Sequence, residues 1–312
     1  MSNQSQIEHR PFVSIVIPFL DNIDQVITIN KNLLSQTYPK EKFEILYIDN
    51  GSLDLDGQKK IYGKQVKILT EYNKKNSPYS ARNRGIEVAN GEIIAFIDAN
   101  SRPEPDWLEQ GVRFMIESES DLIAGLVRFD FGDKITASKI VDSMTSVQIE
   151  KAVKERGVAY TANLFVRSYV FEKAGKFDEG IRSGGDVRFS ENAKRAGYKI
   201  GYCQRAVVSK YARDCKDLYR KKIRTGKGYF YTWKDETNKT VWFYNLIRAL
   251  KPPDVKSVDQ NPEKKVNRFQ VWFHLYATGI VEQLAFVYEY LKYTLGSQRD
   301  LDRRKVAENQ EN

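Results

Sequence analysis

Residues 77–108 read SPYSARNRGIEVANGEIIAFIDANSRPEPDWL. The middle of this stretch, Ile93–Ile97 (IIAFI), is a short run of apolar residues without alternation. That is the pattern of a strand covered on both faces, as in a parallel sheet. Ser80–Ala89 reads as the helix before it, and Asp98-Ala99-Asn100 closes it. A helix feeding a buried strand that ends on an acidic side chain is one unit of an α/β fold.

The same unit recurs toward the N-terminus. Phe12–Pro18 (FVSIVIP) is a β-branched apolar run ending at a proline. Asp24–Ser35 places Val26, Ile29, Leu33 and Leu34 at helical spacing, and Tyr38-Pro39 turns the chain. Phe43–Ile48 (FEILYI) supplies a second strand closed by Asp49-Asn50-Gly51-Ser52, and Val66–Leu69 a weaker third. Alternating strands and helices predict a parallel sheet with right-handed crossovers. Ligands of such sheets bind beyond the carboxyl ends of the strands. Pro18, Asp49-Asn50 and Asp98-Ala99-Asn100 all fall there and are expected on one rim.

Downstream, Leu122–Phe129 and Ala162–Val166 read as strands, and Val187–Ala196 as a helix stopped by Gly197. After Lys234 the pattern changes to aromatic-rich helices interrupted by Lys251-Pro252-Pro253. The expected organisation is an α/β domain over 1–234, in two halves over 11–108 and 109–234, then a helical extension over 235–312. The polar ends, Met1–Arg10 and Gln298–Asn312, read as loose tails.

Bulk composition limits the alternatives. The chain has 312 residues, 41% hydrophobic and 29% charged, which excludes a wholly disordered protein and leaves room for a large core. Fifty basic against 41 acidic residues leave a net charge of +9. Part of the excess lies in KYARDCKDLYRKKIRTGKGYFYTWK (Lys210–Lys234), a run suited to a diphosphate or an anionic membrane surface, or simply to a solvated helix face. Two cysteines, Cys203 and Cys215, lack metal or disulfide spacing and read as reduced thiols. No signal-peptide pattern opens the sequence, and no apolar run reaches the roughly 18 residues of a spanning helix, so a cytoplasmic location is expected. Phe269–Leu295 is apolar and aromatic but carries His274, Glu282, Gln283, Glu289 and Lys292. It reads as an amphipathic helix, packed within the molecule or an oligomer, or lying on a membrane.

Three polar turns carry candidate chemistry. Asp49-Asn50-Gly51-Ser52 can offer side chains to a flat heterocycle while Gly51 permits close backbone approach. Asp98 can hold a hard divalent cation or a ribose hydroxyl beside a diphosphate, whereas Asp106 is placed to cap the helix starting at Trp107. Ser183-Gly184-Gly185-Asp186 sets a carboxylate at a helix N-terminus, where the dipole favours the ionised form needed by a general base; an N-cap would look the same.

Taken in order, VSIVIP, LLSQTYP, EILYIDNGS, SPYSARNRGIEVANGEIIAFIDANSRPEPDWL, TANLFVRSYVFEKAGKFDE, SGGDVRFSENAKRAGYKI and RKKIRTGKG resemble the inverting family 2 glycosyltransferases over about residues 11–230. The resemblance implies a GT-A fold: a mostly parallel sheet flanked by helices, here with a helical C-terminal extension. It implies a nucleotide-sugar donor, expected to be a UDP-sugar, whose uracil and ribose meet Pro18 and Asn50, with Asp49 supporting the turn and Arg82 near the phosphates. Asp98 and Asn100 stand at the first and third places of the family's DxD element, the implied metal position. Asp186 stands at the general-base place of its GGD or GED element. Acceptor contacts are implied for Trp107, Asn163, Gly184, Gly185 and Arg188. The implied reaction is a single displacement by a hydroxyl of a glycan or lipid-linked glycan, EC 2.4, at the cytoplasmic face of the membrane, with peripheral membrane contact and a homo-oligomer through the C-terminal helices as further expectations.

Several positions depart from the family pattern. Asn100 replaces an aspartate, and a neutral amide is the poorer ligand for a hard cation. Lys210 stands where many relatives carry a histidine, and a protonated lysine cannot bind a metal. Either Mn or Mg is still held by Asp98 and Asn100 through water, or Lys210, aided by Arg224 or Lys227, supplies the positive charge. After the base, Arg188 and Glu191-Asn192 depart from the usual pattern, so acceptor contacts are expected to differ. Other classes fit less well. No GxGxxG follows the first strand, which argues against a dinucleotide oxidoreductase. Nucleic-acid binding would need neither the Gly-Gly-Asp before a helix nor the acidic rim. A non-catalytic nucleotide-sugar-binding scaffold of the same fold is the remaining alternative.

Overall fold

A computed structural model describes residues 10–53, 56–74, 77–233, 247, 251–254 and 266–308, with Asp56, 232–233 and 296–308 described by backbone alone. Two compact units are present. One takes Thr145–Ala212 with the chain up to Lys134, and the other takes Ile135–Met144 with the chain from Arg213 onward.

The first unit is an α/β sheet. In chain order it contains β1 (Val13–Phe19), α1 (Ile23–Leu34), β2 (Phe43–Asp49), β3 (Val66–Thr70), α2 (Pro78–Val88), β4 (Ile93–Ile97), β5 (Arg102–Pro103), α3 (Trp107–Glu117) and β6 (Leu122–Asp130). After α4 (Ala137–Thr145) come β7 (Asn163–Arg167), α5 (Val170–Ala174), α6 (Gly185–Arg195) and β8 (Ile200–Tyr211). The strand order is β3-β2-β1-β4-β7-β6-β8-β5. The first four strands in that order are mutually parallel. β7 enters antiparallel between β4 and β6, β8 runs parallel to β6, and β5 pairs antiparallel with β8.

β1, β2 and β4 are buried almost throughout, as continuous apolar runs require when helices cover both faces. α1 turns Val26, Ile29 and Leu33 into this core. α2 approaches β1 closely because it carries Gly85: a β-carbon there would lie 2.3 Å from Val16 Cγ1. That approach fixes the height of α2 above the sheet, and with it the side chains α2 sends to the rim. Asn83 ties α2 down further. Its Nδ2 donates to Phe177 O at 2.8 Å and its Oδ1 accepts from Phe177 N at 3.0 Å. Phe177 in turn packs on Phe189 of α6, with ring centroids 4.8 Å apart.

The second half of the sheet is held by a buried knot. Trp107 and Asn163 are both 0% exposed, and Trp107 Nε1 donates to Asn163 Oδ1 at 2.9 Å. Asn163 Nδ2 donates to Leu126 O at 2.9 Å and Ala206 O at 2.8 Å, joining β7 to β6 and β8. Gly125 makes room, because a β-carbon there would fall 2.3 Å from both Ala206 O and Asn163 Nδ2.

The second unit contains α7 (Cys215–Trp233) and α8 (Arg268–Glu308), packed side by side. Tyr219 meets His274, Lys222 and Thr225 meet Glu282, and Phe230 meets Phe286 and Tyr290, so the two helices run in the same direction. Among the described residues no helix is long and apolar enough to cross a membrane.

Candidate active site

β1, β2 and β4 are adjacent and parallel, so their carboxyl ends open on one rim of the first unit. At the end of β2, Asp49 accepts from Gly51 N at 3.2 Å and Ser52 N at 2.9 Å through Oδ1, and from Gln58 Nε2 at 3.0 Å through Oδ2. Both of its oxygens are engaged in holding the turn, in which Gly51 takes a φ of 102°. Asn50 is buried, and its Nδ2 donates to Lys74 O at 3.2 Å. Pro18, one residue from the end of β1, is half-buried at the same rim.

At the end of β4, Asp98 lies between two cations. Arg82 Nη2 of α2 donates to its Oδ1 at 2.8 Å, and Lys210 Nζ of β8 donates to its Oδ2 at 2.5 Å. Both cationic side chains are only 5% exposed, whereas the Asp98 side chain is 37% exposed. Two buried polar atoms here, Arg82 Nε and Ser101 Oγ, have no hydrogen-bond partner among the described residues. Buried polar atoms are almost always satisfied in a folded protein, so these two donors at the end of β4 stand out.

Asp186 occupies the first turn of α6, after Gly184 with a φ of 89°. Tyr79 Oη donates to its Oδ1 at 3.1 Å, and Thr161 N to its Oδ2 at 3.4 Å. Gly185 is required by this arrangement, since a β-carbon there would press on the Tyr79 ring at 3.0 Å. Burial pushes the Asp186 carboxyl above its ordinary value, opposed by the nearby Arg82 charge and by the hydrogen bonds from Tyr79, Thr161 and Val187. A carboxylate that is hard to keep ionised is a better proton acceptor.

One helix connects the two carboxylates. Tyr79 and Arg82 are three residues apart on α2, hence on one face, and the Arg82 guanidinium lies 5.4 Å from the centre of the Tyr79 ring. Tyr79 holds Asp186 and Arg82 holds Asp98, so α2 spaces the two acids across the rim. Neither Tyr79 nor Thr161 was expected from sequence, although the spacing of Tyr79 and Arg82 in SPYSAR was a usable signal. Its other end, Asp186, lies more than a hundred residues away.

The remaining expected residues are distributed differently. Trp107 and Asn163 offer no surface to an acceptor because both are enclosed in the core knot. Asp106 stands before α3 without a capping hydrogen bond, and its Oδ2 accepts from Gln110 Nε2 instead. Gly184 and Gly185 are buried beneath Tyr79 and Asp186. Arg188 pairs with Asp178 at 2.7 Å. Arg224 and Lys227 belong to the second unit, where Lys227 Nζ lies 3.9 Å from Glu289 Oε2 and 5.1 Å from the centre of the Tyr288 ring.

The chemistry of the donor set fits a protein-held divalent ion poorly. Asn100 is an exposed amide, and each oxygen of Asp98 already accepts from a cation. Hard cations take carboxylate and carbonyl oxygens, and an ion on Asp98 would meet the repulsion of the Lys210 and Arg82 charges beside it. Among the described residues no group of three or more His, Cys, Asp or Glu side chains is gathered to hold a metal.

This rim is found on a fold shared with solved glycosyltransferases. The family model for glycosyl transferase family 2 matches residues 14–170, and that for glycosyl transferase family group 2 matches residues 93–295. The chain is 38% identical over 229 residues to glycosyltransferase AglE of Haloferax volcanii, covering 72% of this chain and 74% of that one. It is 30% identical over 224 residues to the dolichyl N-acetyl-alpha-D-glucosaminyl phosphate 3-beta-D-2,3-diacetamido-2,3-dideoxy-beta-D-glucuronosyltransferase of Methanococcus voltae, covering 64% and 66%. The mannosyltransferase PcManGT of Pyrobaculum calidifontis, solved with GDP-Man and Mn2+, superposes with a TM-score of 0.60 at 15% identity, over 92% of this chain and 88% of that one. The fold is GT-A, and the protein is a glycosyltransferase enzyme. It belongs to glycosyl transferase family 2.

Proposed function

We propose that the enzyme transfers a sugar from a UDP-sugar to a hydroxyl of a lipid-linked glycan, with inversion at the anomeric carbon. The observation that carries this reading is that one face of α2 holds both Asp186 and Asp98, through Tyr79 and Arg82. Asp186 takes the proton of the acceptor hydroxyl. The resulting oxygen attacks the anomeric carbon from the face opposite the leaving group, and the bond to the β-phosphate breaks with its electron pair leaving on the diphosphate. Asn50 and Pro18 line the base and ribose end of the donor, with Asp49 bracing the turn between them. Arg82, fixed against Asp98 through Nη2, lies beside the phosphates of the donor.

Charge on the departing diphosphate is met by Lys210 and Arg82, two buried cations whose positions are set before the donor arrives. Fixed charges of that kind stabilise a developing anion without reorganisation. Arg188, beside Asp186 in α6, contacts the acceptor. The Methanococcus voltae relative, whose name specifies a dolichyl-phosphate-linked sugar acceptor, supports the acceptor class. Work on such an acceptor places the enzyme at the cytoplasmic face of a membrane.

A panel of nucleotide sugars in a thermal-shift assay identifies the donor, because a ligand that binds only the folded state raises its apparent stability. The donor is then incubated with a polyprenyl-phosphate-linked sugar, and release of UDP and the anomeric configuration of the product are read. Inverted product with loss of turnover in Asp186→Asn is the expected result. Product of retained configuration, or full turnover in Asp186→Asn, would overturn the mechanism.

A further inference from the structure

The α7–α8 seam buries charged pairs beside its apolar contacts, while α8 leaves an apolar face exposed. On the face of α8 that packs against α7, Glu282 accepts from Thr225 Oγ1 at 2.5 Å and Lys222 Nζ at 3.1 Å. Glu289 accepts from Tyr231 Oη at 2.8 Å on the same face, with its side chain 8% exposed. The opposite face carries Phe269, Phe273, Leu284, Tyr288, Leu291 and Leu295, each 46–69% exposed. At 100° per residue these six fall within one stripe, joined by Ala277 and Ile280, and none of the eight is charged. The stripe runs from Phe269 to Leu295, about 40 Å at the helical rise. A helix of a soluble protein normally presents the reverse arrangement, with apolar residues inward and charges outward.

We propose that this face docks on an anionic phospholipid surface, with α8 lying in the plane of the interface. Its make-up favours lipid over a second copy of the chain. A two-helix seam is narrow and bordered by charged residues whose pairing sets register. Here the borders of the stripe are Tyr276, Gln283, Val281, His274 and Lys292, so the apolar zone is broad and its borders carry a cation but no carboxylate to pair with it. Trp272 and Tyr276 on one side, with Tyr288 in the stripe itself, are the amphipathic rings that settle at the boundary between headgroups and acyl chains. Lys292, exposed at the border of the stripe, complements anionic headgroups. The paired Glu282 and Glu289 on the inner face are shielded from lipid by α7, which is where charges near a bilayer are tolerated.

The test uses the full chain and sucrose-loaded vesicles of phosphatidylcholine, with and without 30% phosphatidylglycerol (about that fraction is enough to attract basic segments). A Leu284→Glu/Leu291→Glu variant alters only exposed positions, and its far-UV circular dichroism and donor-induced thermal shift check that the fold is retained. The expected result is co-sedimentation of the wild type with the anionic vesicles, and a partition coefficient lowered about tenfold or more in the variant, since binding scales with buried apolar area. Equal sedimentation of variant and wild type would overturn the proposal. So would a wild type that ignores vesicles but forms dimers that the variant dissociates, which would assign the face to a second copy. No sugar is transferred in this measurement, so its outcome is independent of the reaction proposed above.

Discussion

Tyr79 donates a hydrogen bond of 3.1 Å to Asp186 from a helix that also holds Asp98 through Arg82. Burial raises the pKa of Asp186, and the Tyr79 hydroxyl is one of the groups that lower it again. Tyr79→Phe removes that donor and keeps the ring. The variant carboxyl should therefore titrate higher, moving the acid limb of kcat/KM to higher pH. For the wild type this limb should already lie above 3.8, the ordinary aspartate value. A pH–rate profile for both proteins reads the shift, and an unmoved limb would detach Tyr79 from the base.

Asp186→Asn keeps shape and removes basicity. Loss of a general base typically lowers turnover by about 10²–10⁴-fold. Donor affinity, measured calorimetrically, should change little because the carboxylate is held by Tyr79 and Thr161, away from the Asp98 end of the rim.

Lys210 is the sharpest departure from a metal-dependent site. With Lys210 on Asp98 Oδ2, turnover should persist after exhaustive EDTA treatment. Lys210→Met should lower kcat by about 10²–10³-fold, the usual effect of deleting one group that stabilises a developing anion. Lys210→His, which pairs an imidazole with Asp98, should regain part of the rate with Mn2+ and lose it again with EDTA. Total loss of wild-type activity in EDTA, restored by Mn2+, would return the site to metal chemistry.

The donor half of the fold could be read from sequence because its strands are uniform. FVSIVIP, FEILYI and IIAFI are apolar throughout, and the structure starts and ends them within about one or two residues of expectation. The acceptor half was harder. β8 was not anticipated, because Ile200–Tyr211 mixes Gln204, Arg205 and Lys210 into its run and only parts of it are buried. The antiparallel entry of β7 between β4 and β6 is a matter of topology that local pattern does not encode. Asn163 and Trp107 looked like polar and aromatic groups suited to a sugar, yet their polar atoms satisfy each other and the backbone inside the core. Asp49, Asp98 and Asp186 were legible as acidic groups at element ends, while the helix face that links the last two emerges only from tertiary contact.

Gly125→Ala tests the core knot. The added methyl would fall on backbone oxygen and on the Asn163 amide at 2.3 Å, neither of which is the free end of a flexible chain. Overpacking of this sort costs about 1–3 kcal/mol. A lower urea midpoint with an unchanged m-value is the expected reading. An unchanged midpoint would mean that β6 shifts to admit the methyl.

Lys221 makes stability depend on alkaline pH. Its ammonium is 3.4 Å from the fully buried Asp142, which also accepts from Arg213 N at 3.0 Å and Arg213 Nη1 at 3.2 Å. Burial first, and the Arg213 charge second, bring the Lys221 pKa down to about 7 from 10.5, against the pull of Asp142. Between these two values the unfolded chain binds more protons than the folded one, so the Lys221 contribution to stability rises as pH increases from about 7 toward 10.5. Lys221→Met removes the titration and leaves Asp142 paired with Arg213. Chemical denaturation of both proteins at several pH values isolates the effect, because all other groups cancel in the difference. The wild type should gain on the variant across that window, and a difference independent of pH would show that Lys221 stays charged in the fold.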